Sequence, residues 1–182
     1  MQNNHKSELD SAFACLLDVR RKMNIPLEVG GEKVSLRDLP LFEGNTCRSI
    51  PEEHLDFLSL IGSSSGSAAP FFRGMPLLSL EASLNHFRAG DGSFGGLEEF
   101  PYLSFCEMDG AGLFVELPKA KVYDAPLLLI APGLLPKRYF KNIRSLLLGI
   151  VACLESGIDE IVHKKAFGSV RAAQDKILDR YK

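Results

Sequence analysis

Apolar residues recur along this chain with two different periods, and the change between them marks its organisation. Near the N terminus, Leu9, Phe13, Leu16 and Leu17 fall at helical spacing. They follow Ser7-Glu8-Leu9-Asp10, which fits a helix cap with an acid at the third position. This predicts a helix from Ser7 to about Met23, ahead of Pro26. Leu27 to Val34 reads as a small hairpin on Gly30-Gly31. Ser49-Ile50-Pro51-Glu52 is a second helix start, with proline and acids where the first turn favours them. Leu55, Leu58 and Ile61 share one face of it, with Phe57 beside them, and the Gly62–Ser67 run ends it. Short apolar pieces follow at Phe71-Phe72 and at Met75 to Leu78. A short helix then carries Leu80, Leu84 and Phe87.

The period shortens after the glycine-rich stretch from Gly90 to Gly96. Tyr102 to Glu107 and Leu113 to Leu117 predict a hairpin around a five-residue loop, Met108-Asp109-Gly110-Ala111-Gly112. Lys121-Val122-Tyr123 and Leu127 to Ile130 predict two further strands. Helical spacing returns in Phe140, Ile143, Leu147, Ile150, Val151 and Leu154, with Gly157 as the stop. The last 25 residues read as helix, interrupted at Gly168. Helices at both ends and antiparallel strands between them predict a single α+β domain: a mostly antiparallel central sheet, helices packed on it, and an extra C-terminal helix.

Composition narrows the function classes. In 182 residues, 46% hydrophobic and 24% charged content supports a sizeable core and argues against general disorder. A net charge of −2 does not suit a protein that coats nucleic acid or an anionic membrane. The sequence has no apolar run near the length of a membrane span, and its first fifteen residues lack the order of a signal peptide. The expected location is therefore cytoplasmic, with neither nucleic acid nor membrane as partner. The small net charge conceals an asymmetry. Residues 1–88 balance to −2, residues 89–118 to −6 with no Lys or Arg, and residues 119–182 to +6. The acidic block suits a cationic partner, or else a rim neutralised by the basic C-terminal helices of the same molecule.

Candidate chemistry is sparse. Cys15, Cys47, Cys106 and Cys153 stand apart with no CxxC pattern, as expected of small buried hydrophobes in a reducing compartment rather than metal ligands. The four histidines, His5, His54, His86 and His163, form no metal spacing, and His54 reads as an amphipathic-face residue. No metal and no cofactor are expected. Gly62-Ser63-Ser64-Ser65-Gly66 matches the nucleophile-elbow pattern, with Asp124 and His163 as nominal partners. The elbow needs a strand before the serine, and here a helix is predicted. Gly90-Asp91-Gly92-Ser93-Phe94-Gly95 matches a dinucleotide fingerprint but lacks the preceding strand and the long following helix. Tyr102, Phe105 and Phe114 imitate a stacking platform, yet their flanking charges are acidic.

The order of features does resemble a known group. Ile50-Pro51-Glu52-Glu53-His54-Leu55-Asp56-Phe57-Leu58 is similar to the helix that opens domains of the SUKH superfamily. The Gly/Ser turn at Gly62 to Gly66, Leu77-Leu78-Ser79-Leu80-Glu81, the two strands around Asp109-Gly110, Lys121-Val122-Tyr123-Asp124 and the helix from Phe140 to Leu154 follow in the same order. The likeness covers residues 5–156, with residues 157–182 as a C-terminal helical extension of the same domain. The chain departs from the pattern in having no tryptophan and in its very apolar Leu127–Leu135 segment. The resemblance implies a non-enzymatic, protein-binding module, foremost a bacterial immunity protein that occludes a toxin, often a nuclease, and otherwise a regulatory interaction domain. On that reading Asp91, Glu98, Glu99 and Asp109 are the partner-binding candidates, steering a basic toxin groove. The alternative from another class is a small serine or cysteine hydrolase using Ser64 or one of the cysteines.

Overall fold

The computed structural model describes residues 2–25, 27, 29, 49–62, 70–89, 102–108, 110–158 and 167–182. The expected α+β class holds: the described residues form five α-helices and two antiparallel sheets. The helices are α1 (Gln2–Lys22), α2 (Glu52–Ile61), α3 (Leu80–Ala89), α4 (Ile143–Glu155) and α5 (Phe167–Leu178), closed by a 3₁₀ turn at Asp179–Tyr181. The strands are β1 (Pro70–Phe72), β2 (Met75–Pro76), β3 (Tyr102–Met108), β4 (Ala111–Glu116), β5 (Leu127–Ile130) and β6 (Lys137–Phe140). β3 to β6 form an antiparallel meander in chain order. The β1–β2 hairpin adjoins β3 through the Leu77–Cys106 bridge and the bond from the Leu78 amide to the Phe105 carbonyl at 3.0 Å.

Burial selects one face of each helix. On α1 the buried positions are Leu9, Ala12, Phe13, Leu16, Val19 and Arg20, the i, i+3, i+4, i+7 stripe of an amphipathic helix. The same stripe explains why α1 packs on α4, whose buried face is Ile143, Leu146, Leu147, Ile150, Val151 and Leu154. Arg20 is tolerated inside because its Nε donates to the Ile25 carbonyl at 2.9 Å and its Nη2 to the Pro70 carbonyl at 3.1 Å, tying the end of α1 to β1. The core centres on rings: Phe57 lies 5.7 Å from Phe13, 6.2 Å from Phe71 and 5.3 Å from Phe105, centroid to centroid. The opposite face of the four-stranded sheet carries a separate small cluster of Phe114, Leu128 and Ile130, with Tyr102 packed against it.

Several boundaries depart from the sequence reading. α1 starts at Gln2, so Ser7 is no cap: it lies inside the helix, and its carbonyl accepts from the Ser11 hydroxyl at 2.8 Å. The β3–β4 loop is tighter than five residues. Met108 pairs with Ala111, leaving two connecting positions, and Gly110 takes φ +75°, a conformation that favours glycine in such a turn. Lys121-Val122-Tyr123 is not a strand, because the Val122 and Tyr123 carbonyls instead accept the first amides of α2. Phe140 belongs to β6 rather than to α4, since Asn142 caps the helix after it. Gly168 lies within α5 and does not interrupt it. Cys15 is exposed, unlike the buried Cys106 and Cys153. Phe105 faces the main core and Phe114 the other side of the sheet, so they share no platform. The hairpin at Gly30-Gly31, Cys47, the Ser64 turn, the glycine-rich stretch and His163 lie outside the described residues.

Candidate functional site

Two adjacent buried groups with opposite pKa shifts stand where α2 meets α4. Pro51 opens α2 without an N–H to satisfy, and the next two amides are taken in order. The Glu52 amide donates to the Val122 carbonyl at 3.1 Å and the Glu53 amide to the Tyr123 carbonyl at 2.6 Å. Helical spacing then aligns Glu53 with Phe57 and Ile61 on the buried face. Its carboxylate meets the exposed amides of a second helix: Oε2 accepts from the Ile143 amide at 2.9 Å and Oε1 from the Arg144 amide at 3.0 Å. Asn142 completes the cap, with Oδ1 accepting from the Ser145 amide at 2.9 Å and Nδ2 donating to Asp124 Oδ2 at 2.8 Å. Negative charge at a helix N terminus is favourable. Burial opposes it here and wins, lifting the Glu53 carboxyl from 4.5 to about 7 against the pull of the two amides.

His54, the next residue, is perturbed the other way. It is fully enclosed, its ring centroid lies 5.7 Å from that of Phe105, and neither ring nitrogen has a hydrogen-bond partner among the described residues. Burial lowers its pKa from 6.5 to about 4, so it is a neutral ring in the aromatic core at physiological pH, not the amphipathic-face residue that the sequence predicts. Both groups are therefore structural in geometry. The Glu53 oxygens are committed to α4, and the His54 nitrogens are sealed among rings. Burial likewise pushes the Cys106 thiol up to about 12, which removes it as a nucleophile at neutral pH. Asp124, the nominal acid of a serine triad, is held by Asn142.

A second polar cluster fastens α5. Arg73, in the β1–β2 turn with φ +49°, donates from Nη2 to Asp175 Oδ1 at 2.6 Å. The Tyr139 hydroxyl donates to the same oxygen at 2.6 Å. The guanidinium carbon lies 5.5 Å from the Phe72 ring centroid and 5.3 Å from that of Tyr139. Lys182 covers the same Tyr139 ring at 4.8 Å and pairs with Asp179. Burial works to raise the Asp175 carboxyl, but the bonds from Tyr139 and Arg73 outweigh it and hold the group below the usual range.

Two surface features remain. A cleft of about 380 Å³ between α1 and α4 holds exposed Cys15 and half-exposed Leu148, beside an ion pair of Arg144 with Glu8. At one end of the four-stranded sheet, where the β3–β4 and β5–β6 connections lie together, Met108, Leu134 and Leu135 are exposed. Leu134 keeps 70% and Leu135 90% of its surface in water. The two connections lie close together: a Cβ added at Gly110 would stand 3.5 Å from Pro132 Cγ.

All four candidate residues from the sequence, Asp91, Glu98, Glu99 and Asp109, lie outside the described residues. The sequence reading missed Glu53, His54, Asn142 and Arg73. For Glu53 the signal was present, because positions 53, 57 and 61 fall on one helical face; for Arg73 there was none. Among the described residues no group of three His, Cys, Asp or Glu side chains is placed to hold a metal ion, and no helix is long and apolar enough to cross a membrane. Comparison with protein-family models, with curated proteins and with solved structures found no match for this chain.

Proposed function

We propose that the chain is a non-catalytic protein-binding module, and in its most specific form a cytoplasmic immunity protein that occludes a bacterial toxin, as the SUKH resemblance implies. The observation that carries the binding reading is the apolar end of the sheet. Leu134 and Leu135 stand exposed in succession on the β5–β6 connection, with Met108 exposed at the end of β3, and exposed large apolar side chains that adjoin one another mark a binding surface. The carboxylates of the two polar clusters add support, since Glu53, Asp124 and Asp175 are each committed to hydrogen bonds within the fold. In the sequence Asp109 adjoins Met108, which links the acidic block of residues 89–118 to that end of the chain's hairpin. A basic toxin groove is the complementary partner. Opposite charge speeds encounter and the apolar contacts slow release.

The test uses the products of the genes adjacent to this one, one of which the reading requires to be a toxin. Co-production with the chain should restore growth, and stopped-flow mixing should give an association rate that falls roughly 10- to 100-fold at low salt in the Glu98→Lys/Glu99→Lys variant. A toxin that stays active in the presence of the chain sinks the immunity reading. An association rate unchanged at every salt concentration sinks the acidic steering surface.

A further inference from the structure

We propose that the outer edge of β6, together with the Leu134–Leu135 tip that leads into it, receives a peptide strand from a partner protein that carries acidic residues towards one end and aliphatic residues towards the other. This builds on the binding-module reading but does not depend on the acidic block. β6 is the last strand of the meander: it pairs with β5 on one side, and among the described residues no strand lies on its other side. Its first two residues, Lys137 and Arg138, are exposed, whereas Tyr139 and Phe140 are anchored inside. The preceding turn, closed by the Leu134 amide on the Ala131 carbonyl at 3.1 Å, projects the two most exposed large apolar side chains described. An open edge offers backbone donors and acceptors in a row, and a peptide can pair with them as a lipid surface cannot.

Charge selects the peptide. Residues 125–154 contain no Asp or Glu and four cations: Lys137, Arg138, Lys141 and Arg144. Arg144 is paired with Glu8, while Lys137, Arg138 and Lys141 have no ion-pair partner among the described residues. A second copy is a poor occupant: antiparallel pairing through the two exposed residues of each β6 edge sets Lys137 of one copy opposite Arg138 of the other, like charge against like. A strand carrying Asp or Glu beside Lys137 and Arg138, and aliphatic side chains against Leu134 and Leu135, satisfies both the charge and the apolar surface.

The experiment selects binders from a displayed library of random nine-residue peptides against the intact protein. Enriched peptides should carry acidic residues towards one end and aliphatic residues towards the other, and they should slow amide exchange in β6. Affinity should fall roughly 10-fold or more in Leu134→Ser/Leu135→Ser and in Lys137→Glu/Arg138→Glu. Both pairs are solvent-exposed, so the melting temperature should hold in each. A proline at the centre of the peptide, which removes a backbone donor, should abolish binding. No enrichment, enrichment of basic or neutral peptides, or affinities indifferent to both double variants overturns the proposal. So does sedimentation with phosphatidylglycerol vesicles that depends on Leu134 and Leu135 while no peptide binds. Peptide affinity should survive Glu98→Lys/Glu99→Lys; selective loss there would move the peptide to the acidic block and overturn the β6 assignment, whatever becomes of the immunity reading.

Discussion

Two polar clusters fasten helices onto this fold, and they differ in how much water they have lost. At the α2–α4 junction the Glu53 carboxylate spans two helices with 2% of the residue exposed, and both its oxygens are taken by backbone amides. At the α5 latch the Asp175 side chain keeps 46% of its surface in water and shares one oxygen between Arg73 and Tyr139. Opposite pKa directions follow from the same competition. Desolvation wins at Glu53, while hydrogen bonding and opposite charge win at Asp175. The buried cluster therefore fixes α4, around which the core is built, whereas the wet one holds an outer helix.

If α4 is the structural centre, its core should be the most costly place to cut. Leu147 is fully buried, and Leu147→Ala should lower unfolding free energy by roughly 2–5 kcal/mol, read by urea titration. A loss under about 0.5 kcal/mol would show that the α4 stripe is not the core. Close behind stands Glu53→Ala, which leaves the Ile143 and Arg144 amides without their acceptor and removes a bridge between helices. A loss of about 2–4 kcal/mol is expected, since each buried unmet donor costs about 1–3 kcal/mol and relief of carboxylate burial returns part. A neutral result would reduce the junction to packing.

The pH dependence separates the two neighbours within that junction. Glu53 has a folded pKa near 7 against 4.5 unfolded, so its protonation makes the fold more stable as pH falls from 7 to 4.5, and that gain is lost as pH rises through 7. His54 has a folded pKa near 4 against 6.5 unfolded, so its contribution is complete above 6.5 and is lost as pH falls towards 4. Between 4.5 and 6.5 the two oppose each other, and wild-type stability should be nearly flat with respect to these groups. His54→Phe should then become more stable on acidification through this window, and Glu53→Gln less stable, in denaturant titrations at successive pH values. Parallel profiles for the two variants would show that neither group titrates as its burial implies.

The contrast also explains what the sequence disclosed. Repeating apolar positions made α2, α4 and the β3–β4 pair legible, because burial of a stripe depends only on spacing. Four-residue β6 escaped notice, since Tyr139 and Phe140 continue the apolar series that α4 takes up three residues later. The Pro51-Glu52-Glu53 start reads as dipole-favoured acids, and the helix does begin there, yet the spacing of Glu53 with Phe57 places that carboxylate inside. Its acceptor role needed the α4 N terminus, 90 residues away, to be brought against it. The Arg73–Asp175 contact joins residues 102 apart and carries no local pattern at all. Of the candidate site, only the apolarity of Leu127 to Leu135 was visible, without the turn that exposes its end.

The latch should respond more weakly and more locally. Asp175→Asn keeps a hydrogen-bond acceptor but removes the charge that faces Arg73. With Asp175 half exposed, the global loss should be about 1 kcal/mol or less. Amide exchange should nevertheless quicken in α5 while α4 stays protected. Equal acceleration in both helices would show that α5 and α4 open as one unit and would remove the distinction.

The smallest net effect should come where the two regions touch. Gly149 lies on α4 under α5, and an added Cβ would stand 2.9 Å from Leu178 Cδ2 and 3.4 Å from Phe140 Cε1. Two consequences of Gly149→Ala oppose each other. Alanine within a helix is favoured over glycine by about 1 kcal/mol, which strengthens α4. The added methyl displaces Leu178, the fully buried anchor of α5, at a packing cost of about 1–3 kcal/mol when the neighbour cannot yield. Because Leu178 ends in rotatable methyl groups on the outer helix, α5 is the element that yields. The expected result is a urea midpoint close to wild type, combined with faster exchange of α5 amides and unchanged protection in α4. A large fall in global stability would mean that α5 cannot shift without taking the core with it. A gain of about 1 kcal/mol with α5 undisturbed would mean that the contact at Gly149 is loose, and that the latch at Asp175, not the packing of Leu178, is what holds the helix.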